Sequence, residues 1–411
     1  MAPRIAIIGG GPAGLTLGRL LYKRNIPFKI FERRQKPTEE ELAKASGMLD
    51  LHEESGLAAL RDCGLYDNFL HLTGECSEAQ KVSDKDGNIL YKDEGELSER
   101  PEISRHALTK LLASHLPADS IKWGQKLNST SISNTSGRTQ IELDFGPHGK
   151  QTSDLVIGAD GAWSRVRSLL TEVKPHYSGT QSITSTITDI TSKYPHLADL
   201  VGQGSFSALG LRHGVMSQRG PQDSARIYTF LSLPDEHFPS SAESVDRSST
   251  ITKQQLLTDN TLLGRFGAPI KNLVSVACDE ESSTTNSDLS QISIKPLYTL
   301  PVGTSWPHHP NATLIGDAAH LMCPWAGEGV NLAMWDSLLL SQAIATAYEA
   351  TKHDPASFTK KLDPLLKDFE VDLVTRAKEK AEETESNGQM MFGEDGAEAF
   401  KQFFSRAYGG A

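Results

Sequence analysis

Three glycines near the N-terminus have the spacing of a phosphate-binding turn. Gly9, Gly11 and Gly14 form a G-x-G-x-x-G pattern between an apolar run at 4–8 and a predicted helix at 12–24. In such a turn one glycine makes the bend, the next lets the backbone approach a pyrophosphate, and the third lets helix and strand pack. The helix N-terminus then offers N–H groups to the phosphates. The pattern predicts dinucleotide binding, with a merely structural glycine turn as the alternative.

An acidic residue follows at the distance that a ribose requires. Residues 26–31 are predicted as the second strand of a βαβ unit, and Glu32 ends it, 18 residues after Gly14. A carboxylate at this place accepts hydrogen bonds from the hydroxyl groups of an adenosine ribose. Strand, glycines, helix, strand and acid together are more specific than the glycine spacing alone.

A second glycine-bearing segment, GADGAWSRVR at 158–167, follows a predicted buried strand at 154–159. It contains Asp160 and Gly161. Taken alone, this segment is explained by a strand-to-helix turn with an aspartate cap. A structural role therefore stays open beside a ligand-binding one.

The third motif precedes a long predicted helix and follows a predicted strand at 312–315. Glycines before a helix leave backbone N–H groups directed at an anion, and Asp317 offers an acceptor to a polyol such as a ribityl chain. Two such elements about 300 residues apart suit a ligand long enough to span a domain, as FAD is and a mononucleotide is not. The motif comprises Gly316, Asp317, Pro324, Gly327, Gly329 and Asn331.

Composition excludes several classes of protein. The chain has 411 residues with 41 basic and 52 acidic side chains, so its formal charge is −11. This acidity argues against nucleic-acid or anionic-membrane binding. The best candidate for a membrane helix, 5–21, is interrupted by glycines, Pro12 and Arg19, and falls short of the roughly 18 apolar residues required. We expect neither a nucleic-acid partner nor a membrane span.

The cysteines are scattered without a C-x-x-C pair, which argues against a disulfide framework and a zinc ribbon. They are Cys63, Cys76, Cys278 and Cys323. His320 and Cys323 have an H-x-x-C spacing, but no second ligand pair exists, so we expect no metal site. A reducing, cytoplasmic location is the expectation.

The remaining pattern mixes two kinds of element. Leucines recur at helical spacing in 105–116, whereas 181–190 and 225–233 alternate with the period of strands. The pattern from about 331 to 386 is helical. We expect an α/β protein with an inserted β-rich module.

The three motifs, in this order and at these separations, resemble the single-component flavoprotein aromatic hydroxylases of the para-hydroxybenzoate hydroxylase type. The match is closer still to the TetX-like tetracycline-inactivating monooxygenases. It rests also on the segments 46–56, 84–90, 100–108 and 315–331 and covers essentially the whole chain.

The resemblance implies FAD as cofactor and NADPH as cosubstrate. Glu32 and Arg33 would help the glycines hold the adenosine diphosphate part, Asp50 and Arg105 would contact the flavin side and the linking chain, and 324–331 would line the isoalloxazine ring. Arg105 also stands at a predicted helix start, where the dipole disfavours a cation, so a ligand role is favoured there. The implied cofactor contacts are Gly9, Gly11, Pro12, Ala13, Gly14, Glu32, Arg33, Asp50, Arg105, Asp160, Gly161, Gly316, Asp317, Pro324, Gly327, Gly329, Val330 and Asn331.

Three positions depart from the family's pattern. Cys323 stands where such sequences usually carry proline, and Trp325 where they often carry phenylalanine. The arginine associated with NADPH has no counterpart near Ala43, which leaves Lys44 as a substitute.

The implied activity is an FAD-dependent monooxygenation. NADPH reduces FAD, the reduced flavin captures dioxygen as a flavin hydroperoxide, and one oxygen atom passes to a phenolic, enolic or polycyclic, tetracycline-like small molecule. The flavin performs the difficult step, so no residue is named as catalytic acid or base. The helix N-terminus after Gly329 is expected to stabilise negative charge on the flavin. Candidate substrate contacts are Thr184, Arg212, His213, Met216 and Trp325.

Other functions remain as alternatives. A flavin-dependent halogenase is disfavoured because no W-x-W-x-I-P motif occurs. A flavin-binding redox sensor without turnover would not consume NADPH, and an oxygen-independent reductase would give no oxygenated product.

The expected architecture is a Rossmann-like FAD-binding domain from 1–72, 100–172 and 296–345. A β-rich substrate domain from 73–99 and 173–295 is inserted into it. A C-terminal helical segment, 346–411, supplies a helix that bridges the two. We expect a monomer.

Overall fold

The protein is described here by a computed structural model that covers residues 2–73, 79–95, 101–135, 138–239, 249–285, 291–351 and 354–408. Cys76 lies outside these ranges. The strands, in chain order, are β1 Ile5–Ile8, β2 Lys29–Glu32, β3 Met48–Asp50, β4 Gln80–Asp84, β5 Ile89–Asp93, β6 Glu102–Ser104, β7 Ile121–Trp123, β8 Ser129–Thr135, β9 Arg138–Asp144, β10 Lys150–Ser153, β11 Leu155–Gly158, β12 His176–Ile187, β13 Ser205–Gly210, β14 His213–Gly220, β15 Ser224–Ser232, β16 Ser249–Ile251, β17 Ile292–Thr299 and β18 Ala312–Leu314.

The helices, in chain order, are α1 Pro12–Lys23, α2 Glu39–Ala43, α3 Ala58–Cys63, α4 Tyr66–Leu70, α5 Arg105–Ser114, α6 Arg167–Leu170, α7 Ile190–Lys193, α8 Pro195–Val201, α9 Lys253–Thr258, α10 Ala268–Thr285, α11 Asp317–His320, α12 Gly329–Ala350, α13 Pro355–Met391 and α14 Gly396–Tyr408. A π-helical turn, Glu53–Leu57, precedes α3, and a 3₁₀ turn, Pro324–Ala326, precedes α12. Among the described residues, no helix is both long and apolar enough to cross a membrane.

A parallel sheet of five strands carries the first and third motifs. Its order is β18-β11-β1-β2-β7, and each neighbouring pair runs parallel. The strands β1, β11 and β18 are buried along their whole length. This explains their uninterrupted apolar sequences, because helices and loops cover both faces of a parallel sheet.

The second strand begins later than its apolar pattern suggests. Residues 26–31 are expected to be extended, but β2 runs from Lys29 to Glu32. Pro27 has no N–H group to donate to the neighbouring strand, so pairing starts only beyond it.

A mixed sheet of eight strands forms the second layer, in the order β16-β17-β12-β15-β14-β13-β4-β5. On one face it packs an apolar core that includes α10. The other face packs against Trp325 and the end of α13. The alternation in 181–190 and 225–233 is therefore confirmed as two strands, β12 and β15, with different residues on the two faces.

The fold class expected from the sequence is confirmed: a parallel-sheet domain, a β-rich sheet and C-terminal helices. The domain boundaries stay a proposal. The last residues of β17 still pair with β12, at Tyr298 and Thr299, although the proposed boundary falls at 296.

The C-terminal helical pattern divides into two helices. The helix α12 ends at Ala350, and α13 starts at Pro355, where a missing N–H group costs nothing. Asp354 caps α13 by accepting a hydrogen bond from the N–H group of Ser357. The first half of α13 packs on the parallel-sheet core, and its end reaches the aromatic cluster under the large sheet, so α13 bridges the two layers.

A buried charge network fixes α12 and α13 to the third motif. Asp336 is fully buried and accepts hydrogen bonds from the N–H group of Gly316, from Nε2 of His320 and from Nη1 of Arg376, at 2.9, 2.7 and 3.2 Å. Burial alone would lower the pKa of His320, but the Asp336 carboxylate raises it overall. The network therefore favours a protonated imidazole beside an ionised carboxylate.

We predict that Asp336→Asn lowers the free energy of unfolding by about 3 kcal/mol, because it leaves the buried His320 without its counter-ion and removes the buried one of the two carboxylates that pair with Arg376. Urea denaturation of the apoprotein measures this change. The matched control is Asp372→Asn, which removes the exposed partner of the same arginine, Arg376. We expect less than about 1 kcal/mol there. Equal losses in the two variants would contradict this role of Asp336.

Candidate cofactor and substrate site

The three glycines of the first motif have different surroundings. Gly9 has a φ of +114°, and a Cβ atom there would lie 2.1 Å from the carbonyl oxygen of Ala159. A Cβ atom on Gly14 would lie 2.0 Å from the carbonyl oxygen of Gly9. Gly11, at the N-cap of α1, has no atom within 4 Å of such a Cβ position. Two glycines therefore permit backbone packing, and the third leaves open space before the helix N-terminus.

The Glu32 carboxylate stabilises this turn. Its Oε2 atom accepts a hydrogen bond from the N–H group of Gly10 at 2.6 Å, and its Oε1 atom accepts one from the backbone N–H group of Arg34 at 2.8 Å. Each carboxylate oxygen keeps a further lone pair for a ligand hydroxyl. The neighbouring Arg33 is exposed, and Pro12 and Ala13 form the first turn of α1.

The side chain of Asp160 acts within its own loop. Its two oxygens accept hydrogen bonds from Oγ of Ser164 and from the N–H group of Arg165. Burial raises the pKa of Asp160. This is the capping role that the residues alone suggest for the second motif. Gly161, with a φ of +76°, faces open space.

Arg167 ties the second motif to the third. It is buried, and its guanidinium donates hydrogen bonds to the carbonyl oxygens of Ala318, at 2.9 Å, and Ala162. The sequence analysis did not single out this residue. An arginine at the start of a helix, as with Arg105, is the signal that would have found it.

The third motif begins with a packed glycine and an exposed acid. A Cβ atom on Gly316, whose φ is +60°, would lie 3.2 Å from the Cβ atoms of Ala13 on α1 and Ala333 on α12. Asp317 begins α11 and is exposed. No hydrogen bond of its side chain is found among the described residues, so its carboxylate remains available to a ligand.

The N-terminus of α12 is open. Pro324 is exposed, Gly327 has a φ of +70°, and neither Gly327 nor Gly329 has any atom within 4 Å of a Cβ position. Val330 is half-buried in the first turn of the helix. The backbone here can approach a flat ligand closely, and the helix dipole favours negative charge at this place.

Asn331 binds protein atoms with its side chain. Its Oδ1 atom accepts hydrogen bonds from the N–H group of His52 at 2.9 Å and from Oγ of Ser55 at 3.3 Å. Its Nδ2 atom donates to the carbonyl oxygen of Asp50 at 2.9 Å. The side chain of Asn331 therefore joins β3 to α12, and the implied cofactor contact of this residue stays a prediction.

Asp50 and His52 form a charged group at this junction. Nε2 of His52 lies 3.3 Å from Oδ2 of Asp50, and Nδ1 lies 3.5 Å from Oε2 of Glu328. Hydrogen bonds to Asp50 and Glu328 raise the pKa of His52 to about 9. Sequence reasoning missed His52 and Glu328, because the two residues are distant in sequence and their pairing depends on the fold.

Glu102 and Arg105 flank the start of α5. Arg105 is exposed, and its N–H group donates to the carbonyl oxygen of Gly47. Glu102 pairs with Asp50 across β3 and β6 and accepts a hydrogen bond from Nε2 of Gln218 at 3.0 Å. Burial raises the pKa of Glu102 to about 7. The sequence analysis missed this carboxyl group between the two layers.

The large sheet presents an aromatic cluster to the same region. Trp325 lies edge-on to Phe230 at 4.7 Å between ring centroids, and it lies 4.7 Å from Phe392. Met216 packs against this cluster. Thr184 lies opposite Tyr228, which also contacts the cluster, so it shares this face of the sheet. Three candidate substrate contacts, Thr184, Met216 and Trp325, are thus brought to one face.

Two candidate substrate contacts lie elsewhere. His213 points to the other face of β14, where Nδ1 accepts a hydrogen bond from Ser232 N–H and Nε2 donates to the carbonyl oxygen of Thr261. Burial lowers the pKa of His213. Arg212 lies in the exposed hairpin turn with a φ of +64°, 3.6 Å from Glu394. His213 therefore lies on the opposite face from Met216, since side chains alternate along a strand, and Arg212 lies outside the strand; both substrate contacts stay predictions.

A family model described as an FAD binding domain matches residues 3–263 and 302–356. The chain is 35% identical to monooxygenase penA of Penicillium thymicola, with 96% of each chain covered. It is 32% identical to monooxygenase asqM of Emericella nidulans, with 97% of each covered. Among solved structures, a salicylate hydroxylase substrate complex has a TM-score of 0.73 at 17% identity, covering 98% of this chain and 94% of that one.

The tetracycline destructase Tet(55) is also similar in structure. Its TM-score is 0.64 at 16% identity, with 95% of this chain and 97% of that chain covered. At such identities, the two solved structures show a shared fold alone. The sequence relatives in fungi carry the stronger evidence about family.

We predict that substitutions at Gly9 and Gly11, both in the first motif, have separate effects on folding and on cofactor binding. Gly11→Asp should leave the apoprotein as stable as wild type, because aspartate is a good N-cap and meets open space. Its carboxylate should weaken FAD binding at least tenfold by repelling the pyrophosphate. Gly9→Ala should unfold the protein, because its Cβ atom collides with Ala159.

Thermal unfolding of the apoproteins and fluorescence titration with FAD measure the two effects. Gly11→Asn is the matched control: it has the same size without the charge, so FAD should bind it with intermediate affinity. If Gly11→Asp binds FAD like wild type, the pyrophosphate does not lie before α1.

Proposed function

This chain belongs to the FAD binding domain family and is an FAD-dependent monooxygenase, and we propose that it consumes NADPH and inserts one oxygen atom from dioxygen into a small molecule. The proposed substrate class is phenolic, enolic or polycyclic, with tetracycline-like polyketides included. The cytoplasmic location and the monomeric state expected from the sequence are part of the same proposal.

One observation carries the FAD site. Three loops meet at the carboxyl ends of neighbouring parallel strands, which is where ligands bind in open α/β sheets. Each loop has a glycine packed closely against protein atoms, either within the loop or at the end of the preceding strand. Each loop also has at least one glycine that faces open space. The open positions are Gly11, Gly161, Gly327 and Gly329. Such a run of accessible backbone suits a long, flat dinucleotide.

The residues present fit the parts of FAD. The α1 N-terminus beyond Gly11 would receive the pyrophosphate, and Glu32 would accept hydrogen bonds from the ribose. Asp317, exposed and available, would bind ribityl hydroxyls. The N-terminus of α12 would stabilise negative charge on the isoalloxazine ring. When bound, FAD supplies the transfer of electrons from NADPH and of one oxygen atom from dioxygen.

The aromatic cluster supports a flat, largely apolar substrate. Trp325 packs edge-on to Phe230 and against Phe392, and Met216 adds an adaptable apolar contact, so this face of the sheet is apolar around the half-buried Trp325. Glu102, beside Gln218 and with a pKa raised by burial to about 7, would in its protonated form offer a hydrogen bond to a substrate oxygen. The protein's task is to exclude water and to hold an electron-rich carbon near the flavin.

The activity is tested with the purified holoprotein. We predict that NADPH bleaches the yellow protein without oxygen, and that readmitted oxygen gives a product about 16 mass units heavier than the substrate. Tetracycline and salicylate are the first probes, measured by absorbance and mass spectrometry. Bleaching without product from either probe would contradict those substrates and leave a reductase or a different substrate. No bleaching would favour a redox sensor.

We predict that Asp317→Ala purifies with little flavin, because the ribityl chain loses its carboxylate acceptor. The ratio of flavin to protein absorbance measures occupancy. The matched control is Asp368→Ala, which removes an exposed aspartate from α13 and should keep full occupancy. Full retention of FAD by Asp317→Ala would show that this carboxylate does not bind the ribityl chain.

A further inference from the structure

A row of four charged side chains runs from β3 to the surface of α13. Asp50 and Glu328 flank His52 at 3.3 and 3.5 Å, and Nζ of Lys380 lies 2.6 Å from Oε1 of Glu328. The side chain of Glu328 is 9% exposed, and that of His52 is 15% exposed. Glu383 lies on the far side of Lys380, at 3.2 Å. Opposite charges therefore alternate along the row.

The row crosses the N-terminus of α12. Glu328 is the N-cap residue of this helix, between the two open glycines Gly327 and Gly329. A carboxylate is favourable to the helix dipole there, but it opposes any further negative charge on a ligand at the same place. His52 and Lys380 offset that charge. Hydrogen bonds to them hold the pKa of Glu328 below its usual value although burial acts to raise it.

The side chain of Asn331 fixes the backbone at Asp50 and His52. Asn331 accepts a hydrogen bond from the His52 backbone and donates one to the Asp50 backbone, which fixes the spacing of the two residues. The Oδ1 atom of Asp50 is buried and has no hydrogen-bond partner among the described residues. It is an acceptor that the protein leaves unused beside the open end of α12.

We propose that His52 is a positioning residue that sets the reduction potential of the bound FAD, through the charge it places between Asp50 and Glu328 at the N-terminus of α12. The inference rests on the proposed function, which locates the isoalloxazine ring at this helix end. Its imidazolium balances the charges of Asp50, Glu328 and Lys380, and Glu383 at the outer end of the row adds one negative charge. Loss of the His52 proton therefore makes the row more negative by one unit. Glu102, which pairs with Asp50 across β3 and β6 and has a pKa of about 7, titrates at lower pH than His52.

The sign of the effect follows from electrostatics. Two-electron reduction adds negative charge to the flavin, which the row opposes less when His52 is protonated than when it is neutral. Reduction in turn favours protonated His52, so its pKa, about 9 before reduction, rises further. At a pH between the pKa of His52 with oxidised flavin and its higher pKa with reduced flavin, each reduction takes up one more proton than it does at neutral pH. The potential should therefore fall more steeply with pH above about 9 than below it.

The experiment measures the reduction potential of holoprotein against reference dyes between pH 6 and 10. For His52→Gln at pH 7 we expect the two-electron equilibrium to shift at least tenfold toward oxidised flavin, which is about 30 mV. The extra proton uptake near pH 9 should disappear. Lys380→Met removes the other cation from a partly exposed position, so it should shift the potential in the same direction while retaining the step near pH 9.

The matched control is His308→Gln. His308, in the loop before β18, also lies between two carboxylates: it is 2.8 Å from Asp363 and 2.7 Å from Glu370, both on α13. Its replacement should leave the potential and its pH dependence unchanged. A wild-type potential and pH dependence in His52→Gln would overturn the inference while the FAD site stands. If His52→Gln does not retain flavin, the wild-type protein decides: a potential without a steeper fall above about pH 9 would overturn the inference. A wild-type protein that binds no FAD would instead contradict the proposed function.

Discussion

The close approach of three backbone loops is the constraint on which the site depends. Gly9 touches the carbonyl of Ala159, and Gly14 touches the carbonyl of Gly9, at distances that leave no room for a side chain. Arg167 and Asp336 then fix the third loop by binding backbone groups of Ala318 and Gly316. The loops are held by contacts below or beside them, so the backbone in front of them stays free for a ligand.

Local chemistry made much of the site predictable from the sequence. The first βαβ unit, the helix start at Arg105 and the strand before Gly316 all follow from short runs of residues. Pairs distant in sequence did not follow. His52 and Asn331 stand 279 residues apart, and their hydrogen bond arises only because α12 packs beside β3. Neither segment contains a pattern that predicts such a partner, because each side chain, taken alone, could be a solvated polar group.

Strand parity separates the candidate substrate contacts. His213 and Met216 are three residues apart in one strand, so their side chains lie on opposite faces of the sheet. The sequence pattern alone did not show this alternation. Arg212 is separated from the others by the hairpin turn, in which Leu211 and Arg212 both have positive φ and Arg212 is exposed. Fold-level recognition finds the strand, but register decides which of its side chains meets the ligand.

The buried carboxylates of the site have pKa shifts in opposite directions. Asp160 and Glu102 both have a raised pKa because burial disfavours their ionised form, whereas Glu328, also buried, has a lowered pKa because two cations hold it. The difference lies in partners, not in depth. Asp160 accepts hydrogen bonds only from uncharged groups, Ser164 and a backbone N–H group, and Glu102 accepts one from the uncharged amide of Gln218, so no cation offsets the cost of their burial. At the N-terminus of α12, two cations offset that cost for Glu328. A carboxylate with two such partners adds less negative charge to that helix end than an unpaired one would, which is the property that the proposed flavin site requires.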